Sequence, residues 1–446
     1  MSNMPVESSP SVKAQHNDAS FANIWAELKW RGLVHISTDE VELEKALSGE
    51  PLSYYCGFDP TAPSLHLGHL VQLLTMRRLQ LAGHRPIGLV GGSTGLIGDP
   101  RPTSERTLNT KETVAEWVGF LQAQVSRYLD FDGTNPAQMV NNLDWTAPLT
   151  AIDFLREIGK HFRVGTMIKK DAVSARLNSD AGISYTEFSY QLLQGLDFLE
   201  LFRKYDCTLQ TGGSDQWGNL TAGVDLIHRA EGRSVHAIGT PLITNSDGSK
   251  FGKSEGNAIW IDEKLTSPYE FYQFWLNTAD ADVVERLKVF TFMSREEIED
   301  LGAAVSERPH LREAQRALAY DVCSLVHGTD VTDKVIAASS AVFGRGDVTG
   351  LDEATLKSVT AELPRGSAQR GATVVEVLVA SGLVPSNSAA RRTIGEGGAY
   401  VNNVKVADAD AVIDDTELLH GRYLLVRRGK RNLAVVEVGM ETAGGR

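Results

Sequence analysis

Two short segments of this chain combine residue types that could handle phosphates. His66-Leu67-Gly68-His69 sets two imidazoles three residues apart, on one face of any helix that runs through them. They open the apolar run Leu65–Ala82. At a helix start, unpaired backbone N–H groups and the positive dipole end favour anionic oxygens. Gly68 removes a side chain between them, so a flat ligand could lie against the backbone. Read alone, the pair fits surface histidines or part of a metal site equally well. A zinc centre would need further ligands, and none stands close in sequence. Lys250-Phe251-Gly252-Lys253-Ser254 is the second segment. Two lysines three apart in a glycine-containing loop can close over phosphates as point charges, and Ser254 can donate a hydrogen bond. By itself such a spacing is usually a solvated basic turn. It is no Walker loop, because the GxxxxGK[ST] spacing is absent and the stretch Gly91–Asp99 has no lysine.

The elements that must carry these segments read as an α/β fold. Leu52–Phe58 reads as a strand ending in the turn Asp59-Pro60-Thr61-Ala62-Pro63. An amphipathic helix is expected over Leu65–Ala82, with Leu70, Leu73, Leu74 and Leu81 at near-helical spacing. Pro86–Val90 is a short apolar strand running into glycine-rich sequence. Strand, crossover helix and strand begin a parallel sheet, and such sheets bind ligands beyond the carboxyl ends of their strands. Asn245–Asn257 reads as a loop, and Ser267–Thr360 as helical, with Ser294 and Glu297 at capping-box spacing. Gly344-Arg345-Gly346 and Pro364-Arg365-Gly366-Ser367 read as linkers. Thr373–Val438 has the texture of a small mixed unit.

Composition narrows the classes. At 446 residues the chain has room for about two to four domains. With 42% hydrophobic and 23% charged residues, wholesale disorder is excluded. A net charge of −13 argues against a generic polyanion coat but leaves room for a local basic patch. Such a patch exists between Arg365 and Glu437, where ten Lys and Arg face eight Asp and Glu. Three widely spaced cysteines, Cys56, Cys207 and Cys323, exclude a disulfide framework and fit a reducing cytoplasm. No apolar run reaches membrane-spanning length. The polar N-terminus lacks the apolar stretch of a signal peptide, and residues 1–20 are expected to form a mobile tail.

Taken together, the segments change weight. Asp59-Pro60-Thr61-Ala62-Pro63-Ser64-Leu65-His66-Leu67-Gly68-His69 followed by Lys250-Phe251-Gly252-Lys253-Ser254 resembles the two signature motifs of class I aminoacyl-tRNA synthetases. Tyr55–Thr61, the segment LVGGSTGLIGDP, Tyr190–Asp197 and GGSDQWGN are more specific. They resemble the bacterial tyrosyl-tRNA synthetases, in family order from about Trp25 to Val438. Two departures stand out: Leu67 replaces the usual isoleucine, and after Asp99 the chain reads Pro100-Arg101 where many relatives place a lysine soon after the proline.

The resemblance implies a Rossmann-like catalytic domain, then a helical anticodon-binding domain and a small α+β RNA-binding domain akin to one in a small-subunit ribosomal protein. The expected bounds are 1–20 for the tail, 21–245 for the catalytic domain, 246–364 for the signature loop and helical domain, and 365–446 for the last. It implies ATP-dependent activation of L-tyrosine and transfer to tRNA(Tyr), with Mg²⁺ accompanying ATP, no structural metal, and a homodimer. Tyr55 and Asp197 would hold the substrate phenol; Tyr190, Gln194 and Asp99 its ammonium. Tyr190, Gln194 and Asp197 also fall at i, i+4 and i+7, one helical face. Gly57, Asp59, Thr61, Gly68, Gly213, Asp215 and Gln216 would line the nucleotide side. His66, His69, Lys250, Lys253 and Ser254 would act on the phosphates. Arg391, Arg392, Arg427, Arg428, Lys430 and Arg431 would meet tRNA. The apolar face within Ala151–Leu177 fits a dimer interface or a buried helix. The rival readings are a tryptophanyl-tRNA synthetase, disfavoured by Tyr55 with Asp197, and an inactive synthetase-like RNA-binding protein, disfavoured by the intact motifs.

Overall fold

The structure is a computed structural model that describes residues 14–101, 104–248, 251–254, 257–344, 346–429 and 432–439. Lys250, Lys430 and Arg431 lie outside the described residues, as do the side chains of Lys253 and Ser254. The chain divides into two compact units, Met1–Leu265 with Trp275–Val322, and Thr266–Phe274 with Cys323–Arg446.

The first unit is built on a six-stranded sheet: β1 (Ile36–Ser37), β2 (Ser53–Phe58), β3 (Arg85–Val90), β4 (Gln138–Asn141), β5 (Cys207–Gly213) and β6 (His236–Thr240), in the order β1-β6-β5-β2-β3-β4. Only β1 runs antiparallel to its neighbour; the other pairings are parallel. From β2 the chain winds one way to β3 and β4, while β5 and β6 lie on the other side. The order therefore reverses between β2 and β5, where a doubly wound sheet opens its crevice.

Helix α1 (Leu67–Leu81) is not the amphipathic helix expected. Almost every residue from Leu70 to Gln80 is buried, the polar ones included. A helix buried all round needs partners for its polar side chains. Arg78 is 3.6 Å from Glu27 and stacks on the ring of Phe292, while Arg77 donates to Gln15 and Gln80. The contact with Gln15, an Asn17 amide that donates to the Arg78 carbonyl, and Asp18 accepting from the Arg295 amide dock the end of the expected mobile tail.

Helices α2 (Lys111–Ser126), α3 (Tyr185–Tyr205) and α4 (Trp217–Glu231) complete the layers. Leu196, Phe198 and Leu199 of α3 and Leu226 of α4 share a core with Tyr55, Ile87 and Leu89 of the sheet. Helix α5 (Arg295–Glu307) opens with the expected capping box between Ser294 and Glu297. The segment expected as a plain loop contains the two-residue strands β7 (Lys253–Ser254) and β8 (Asn257–Ala258).

In the second unit, α6 (Thr329–Gly344) precedes β9 (Arg365–Gln369), α7 (Val374–Ala380), α8 (Asn387–Gly395), β10 (Ala399–Val401), β11 (Val404–Lys405), β12 (Tyr423–Arg428) and β13 (Asn432–Gly439). The strands form one sheet in the order β11-β10-β12-β13-β9, with β9 parallel to β13. The stretch Pro364–Ser367 is thus no linker. Gly366 stands in a strand because a Cβ there would meet the Ala380 carbonyl oxygen at 2.0 Å, where α7 ends against the sheet. A packing requirement had the look of punctuation. Alternation along β12 and β13 sends Leu424, Val426 and Val436 to α7 and α8, and Tyr423, Leu425 and Val435 to Val342 and Leu356 on the other face. Helical residues before 364 therefore share a core with the sheet after it.

Candidate active site

A cavity of 690 Å³ opens beyond the carboxyl ends of β2 and β5. That size suits a small-molecule site. Strand β2 delivers Tyr55 and Gly57 and its turn Asp59 and Thr61; α1 brings His66, Gly68 and His69; β5 and the turn after it bring Gln210, Gly213, Asp215 and Gln216. The single face of α3 supplies Tyr190, Gln194 and Asp197, as its spacing required. Asp99, Arg101, Arg106 and Phe251 complete the wall.

At the deep end Asp197 accepts from the Trp145 indole (2.9 Å) and the Asn142 amide (3.0 Å). Burial outweighs both bonds and pushes its pKa up to about 8. The same amide donates to Thr94, whose hydroxyl donates to Asp59 at 2.6 Å; Asp59 also accepts from Tyr190 at 2.7 Å. Tyr190, implied as an ammonium ligand, thus spends its proton on Asp59, implied on the nucleotide side. Tyr55 is 1% exposed, and its buried hydroxyl has no hydrogen-bond partner among the described residues. Burial, and then the charge of Asp197, raise its pKa well above the ordinary phenol value. The side-chain oxygens of Gln72, Gln194 and Gln210 are equally buried and unpartnered. Each such group costs roughly 1–3 kcal/mol. Four on one cavity wall form a surface that a polar ligand completes.

Asp99 accepts from Gln216 and from Asn219, one on each carboxylate oxygen, both at 3.1 Å. Its pKa is raised by burial, against those bonds and the nearby Lys170.

At the other end the two histidines are themselves a capping box. His66 is the N-cap of α1, its Nδ1 accepting from the Gly68 amide (3.1 Å), while His69 Nδ1 accepts from the His66 amide (3.2 Å). With each Nδ1 an acceptor, a neutral ring carries its proton on Nε2. Burial, then His66, hold the His69 pKa well below the usual histidine value, so His69 is a neutral donor at pH 7. A Cβ at Gly68 would meet the His66 ring at 2.9 Å, so the space left by that glycine is filled by the imidazole and not kept for a ligand.

The second motif is tied to the first. The amide of Leu67 donates to Ile259, that of Ile261 to Leu65, and that of Ile259 to Gly252. Phe251 packs against Trp275 and Phe290, with the Arg286 guanidinium 4.6 Å from its ring centre.

The arginines of the second unit separate into two kinds. Arg392 and Arg428 are exposed, and Arg391 is exposed and paired with Asp410 at 2.5 Å. Arg427, expected at an RNA-facing surface, is 1% exposed and donates to the Val342 carbonyl and Asn403. It faces inward because strand alternation puts it opposite the exposed Arg428.

Comparison with known proteins settles the kinship. Residues 47–344 match the family model "tRNA synthetases class I (W and Y)", and residues 355–436 match "Tyrosine--tRNA ligase SYY-like C-terminal domain". A tyrosine–tRNA ligase of Leifsonia xyli subsp. xyli is 66% identical over 439 residues, covering 98% of this chain and 99% of the relative. One of Streptomyces avermitilis is 66% identical over 413 residues, covering 92% and 98%. The chain belongs to the tyrosine–tRNA ligases, the tyrosyl-tRNA synthetases of class I. A C-terminally truncated mitochondrial tyrosyl-tRNA synthetase of Aspergillus nidulans superposes with a TM-score of 0.65 at 29% identity, covering 73% of this chain and 95% of the other. The tryptophanyl alternative fails against these relatives.

A tyrosyl-tRNA synthetase site thus contains residues that motif spacing did not single out. Thr94, Asn142 and Trp145 orient the two buried carboxylates, and Gln72 and Gln210 contribute orphan oxygens. Gln210 lies beside Tyr55 in register on the neighbouring strand. Strand pairing supplies that neighbour; one-dimensional spacing does not.

Proposed function

We propose that this cavity joins L-tyrosine to ATP and then passes the tyrosyl group to the 3′-terminal ribose of tRNA(Tyr). The observation that carries the reading is the unpartnered, buried hydroxyl of Tyr55 beside Asp197. A substrate phenol donates to Asp197 and accepts from Tyr55. Phenylalanine would leave both unpaired, an effect for which tyrosyl-tRNA synthetases are themselves the standard example. The ammonium is met by Asp99, the side-chain oxygen of Gln194 and the hydroxyl oxygen of Tyr190, whose proton goes to Asp59 and so leaves its lone pairs to accept.

The tyrosine carboxylate is ionised at neutral pH and attacks the α-phosphorus without a general base. A new P–O bond forms as the bond to pyrophosphate breaks, and the electron pair leaves on pyrophosphate. The protein's part is positioning and charge stabilisation. His66 and His69 donate from Nε2 to the phosphate oxygens, while Lys250, Lys253 and Ser254 cover the pyrophosphate. Arg101 and Arg106, both on the cavity wall, offer positive charge there, Arg101 close to the place where many relatives carry lysine. Gly57, Asp59, Thr61, Gly68, Gly213, Asp215 and Gln216 border the nucleoside. Mg²⁺ binds few protein ligands beside phosphates; it would be held by the phosphate oxygens and water, and supplies further charge neutralisation there. In the second step a ribose hydroxyl attacks the adenylate carbonyl: a C–O ester bond forms, the bond from that carbon to the phosphate oxygen breaks, AMP departs with the electron pair, and the hydroxyl proton leaves to the phosphate or to water.

Exposed Arg391, Arg392 and Arg428, with Lys430 and Arg431 nearby in sequence, are proposed to meet tRNA phosphates in the cytoplasm. The boundaries at 20, 245 and 364 are kept as functional divisions. A homodimer is proposed through Ile152, Leu155, Val164 and Ile168, which are 39–70% exposed instead of packed in a core. ATP–pyrophosphate exchange across the amino acids tests the reading: exchange with tyrosine is expected, and preference for tryptophan or absence of exchange overturns it.

A further inference from the structure

Lys170 belongs to neither signature motif nor to any motif that marked the site. It immediately precedes the short helix Asp171–Leu177, and its side chain runs inward over the backbone of Gly218 in α4. A Cβ at 218 would stand 2.9 Å from its Cε, so a larger residue there would make the end of the lysine side chain shift. Lys170 Nζ donates to Asn219 Oδ1 at 2.7 Å. With its oxygen taken by an ammonium, the Asn219 amide must turn its NH₂ the other way. That NH₂ donates to Asp99 Oδ1 at 3.1 Å and to Gln216 Oε1 at 2.8 Å. Gln216, its oxygen now fixed, gives its own NH₂ to Asp99 Oδ2 at 3.1 Å. Lys170 thereby decides the orientation of two amides and gives each oxygen of one carboxylate a donor. The remaining lone pairs of Asp99 are left to the cavity.

We propose that Lys170 is a positioning residue for tyrosine recognition: through Asn219 and Gln216 it holds Asp99 in the orientation that receives the substrate α-ammonium. The inference rests on the proposed role of Asp99. Lys170 touches none of the reacting atoms. Burial lowers the Lys170 pKa to about 7 and raises that of Asp99, and the attraction between the two opposes both shifts, favouring the ammonium on one side and the carboxylate that pairs with a substrate ammonium on the other.

The test uses two competitive inhibitors of tyrosine-dependent pyrophosphate exchange on the full-length enzyme. Tyramine keeps phenol and ammonium; 3-(4-hydroxyphenyl)propanoate keeps phenol and carboxylate but has no ammonium. Lys170→Met should weaken tyramine by at least about tenfold, the size of one charge-assisted hydrogen bond, and move the propanoate by less than about twofold. Gly218→Ala, which displaces the lysine stem without removing its charge, should give the same selective loss. Asp99→Asn serves as the reference. If it discriminates between the inhibitors and Lys170→Met does not, the inference about Lys170 falls while the role of Asp99 stands. If Asp99→Asn itself fails to discriminate, the underlying reading of the ammonium site falls. Equal weakening of both inhibitors by Lys170→Met, or tighter tyramine binding, also overturns the proposal.

Discussion

The catalytic cavity and the C-terminal sheet both bury polar side chains that globular cores normally exclude, and they treat them in opposite ways. In the catalytic cavity the Tyr55 hydroxyl and the oxygens of Gln72, Gln194 and Gln210 are buried without partners. In the C-terminal sheet Arg427 is just as buried, yet its guanidinium is occupied by Asn403 and the Val342 carbonyl. Desolvating a polar group is unfavourable in either place. Arg427 recovers that cost within the folded chain. The cavity groups recover it only when a ligand arrives, so the fold carries their penalty in exchange for selectivity. Burial alone does not distinguish function from scaffold, and neither does one orphaned group, since the Tyr128 hydroxyl and Ser324 Oγ are also buried without partners among the described residues; four such groups lining one cavity do.

The largest expected effect lies at the phosphate end. His66 and His69 cap α1 through Nδ1 and both line the cavity, so each has a structural and, through Nε2, a proposed chemical side. His66→Ala should lower the rate of adenylate formation by roughly 10²–10³, the usual loss for one preorganised donor to a developing charge. Tyrosine affinity should stay nearly intact. His66→Asn keeps an N-cap acceptor but shortens the donor, and should recover stability without recovering the rate. Pre-steady-state adenylate formation at the wild-type rate in either variant would assign the pair to capping alone.

The comparison itself is probed by one substitution in each unit. Arg427→Met replaces the buried guanidinium with an apolar chain. Asn403 keeps the bonds from its NH₂ to the Ala341 and Gly346 carbonyls, so only its side-chain oxygen and the Val342 carbonyl lose a donor; the change should cost about 2–3 kcal/mol of stability in denaturant melts and leave tyrosine activation unchanged. Tyr55→Phe deletes an oxygen that has no partner in the fold. Stability should be equal or slightly higher, while discrimination against phenylalanine in pyrophosphate exchange falls by about 10–100-fold, the worth of one buried hydrogen bond to the phenol. If Tyr55→Phe melted early, or Arg427→Met impaired activation, the contrast between the two kinds of burial would not hold.

What could be read from the sequence follows the range of the interaction involved. The apolar run of β2 ending in its proline turn, the periodicity of α3 and the capping spacing at Ser294 are local, and the strands and helices appear where those patterns put them. Gathering Tyr190, Gln194 and Asp197 on one face needed only the 3.6-residue repeat. Non-local partners left no such mark. Asn142 and Trp145 reach Asp197 across more than fifty residues of chain, and Gln210 adjoins Tyr55 by strand pairing across 155. The errors are also physical. α1 looked amphipathic because its arginines and glutamines were counted as solvent-facing, whereas Arg78 is buried between Glu27 and Phe292. Gly366 looked like a break because the carbonyl of Ala380 that requires it lies in a different element.

The smallest expected effect concerns a third kind of polar group, exposed and paired. Arg391 and Asp410 meet at 2.5 Å with both side chains more than half exposed. Water and salt screen such a pair, and two long side chains must be immobilised to form it. Asp410→Asn should therefore leave the melting temperature without resolvable change. The guanidinium, however, no longer shares its charge with a carboxylate. If Arg391 lies on the tRNA-facing surface, removing Asp410 should tighten tRNA binding a few-fold at low salt and steepen the salt dependence by about one counterion. Substitution is a cleaner probe of that surface than truncation. Removing the chain from Pro364 onward would strip Val342 and Leu356 of the sheet residues that cover them, so lost charging would not distinguish lost RNA contact from a damaged core. A variant that melts normally and binds tRNA with unchanged affinity and salt slope would take Arg391 off the RNA surface.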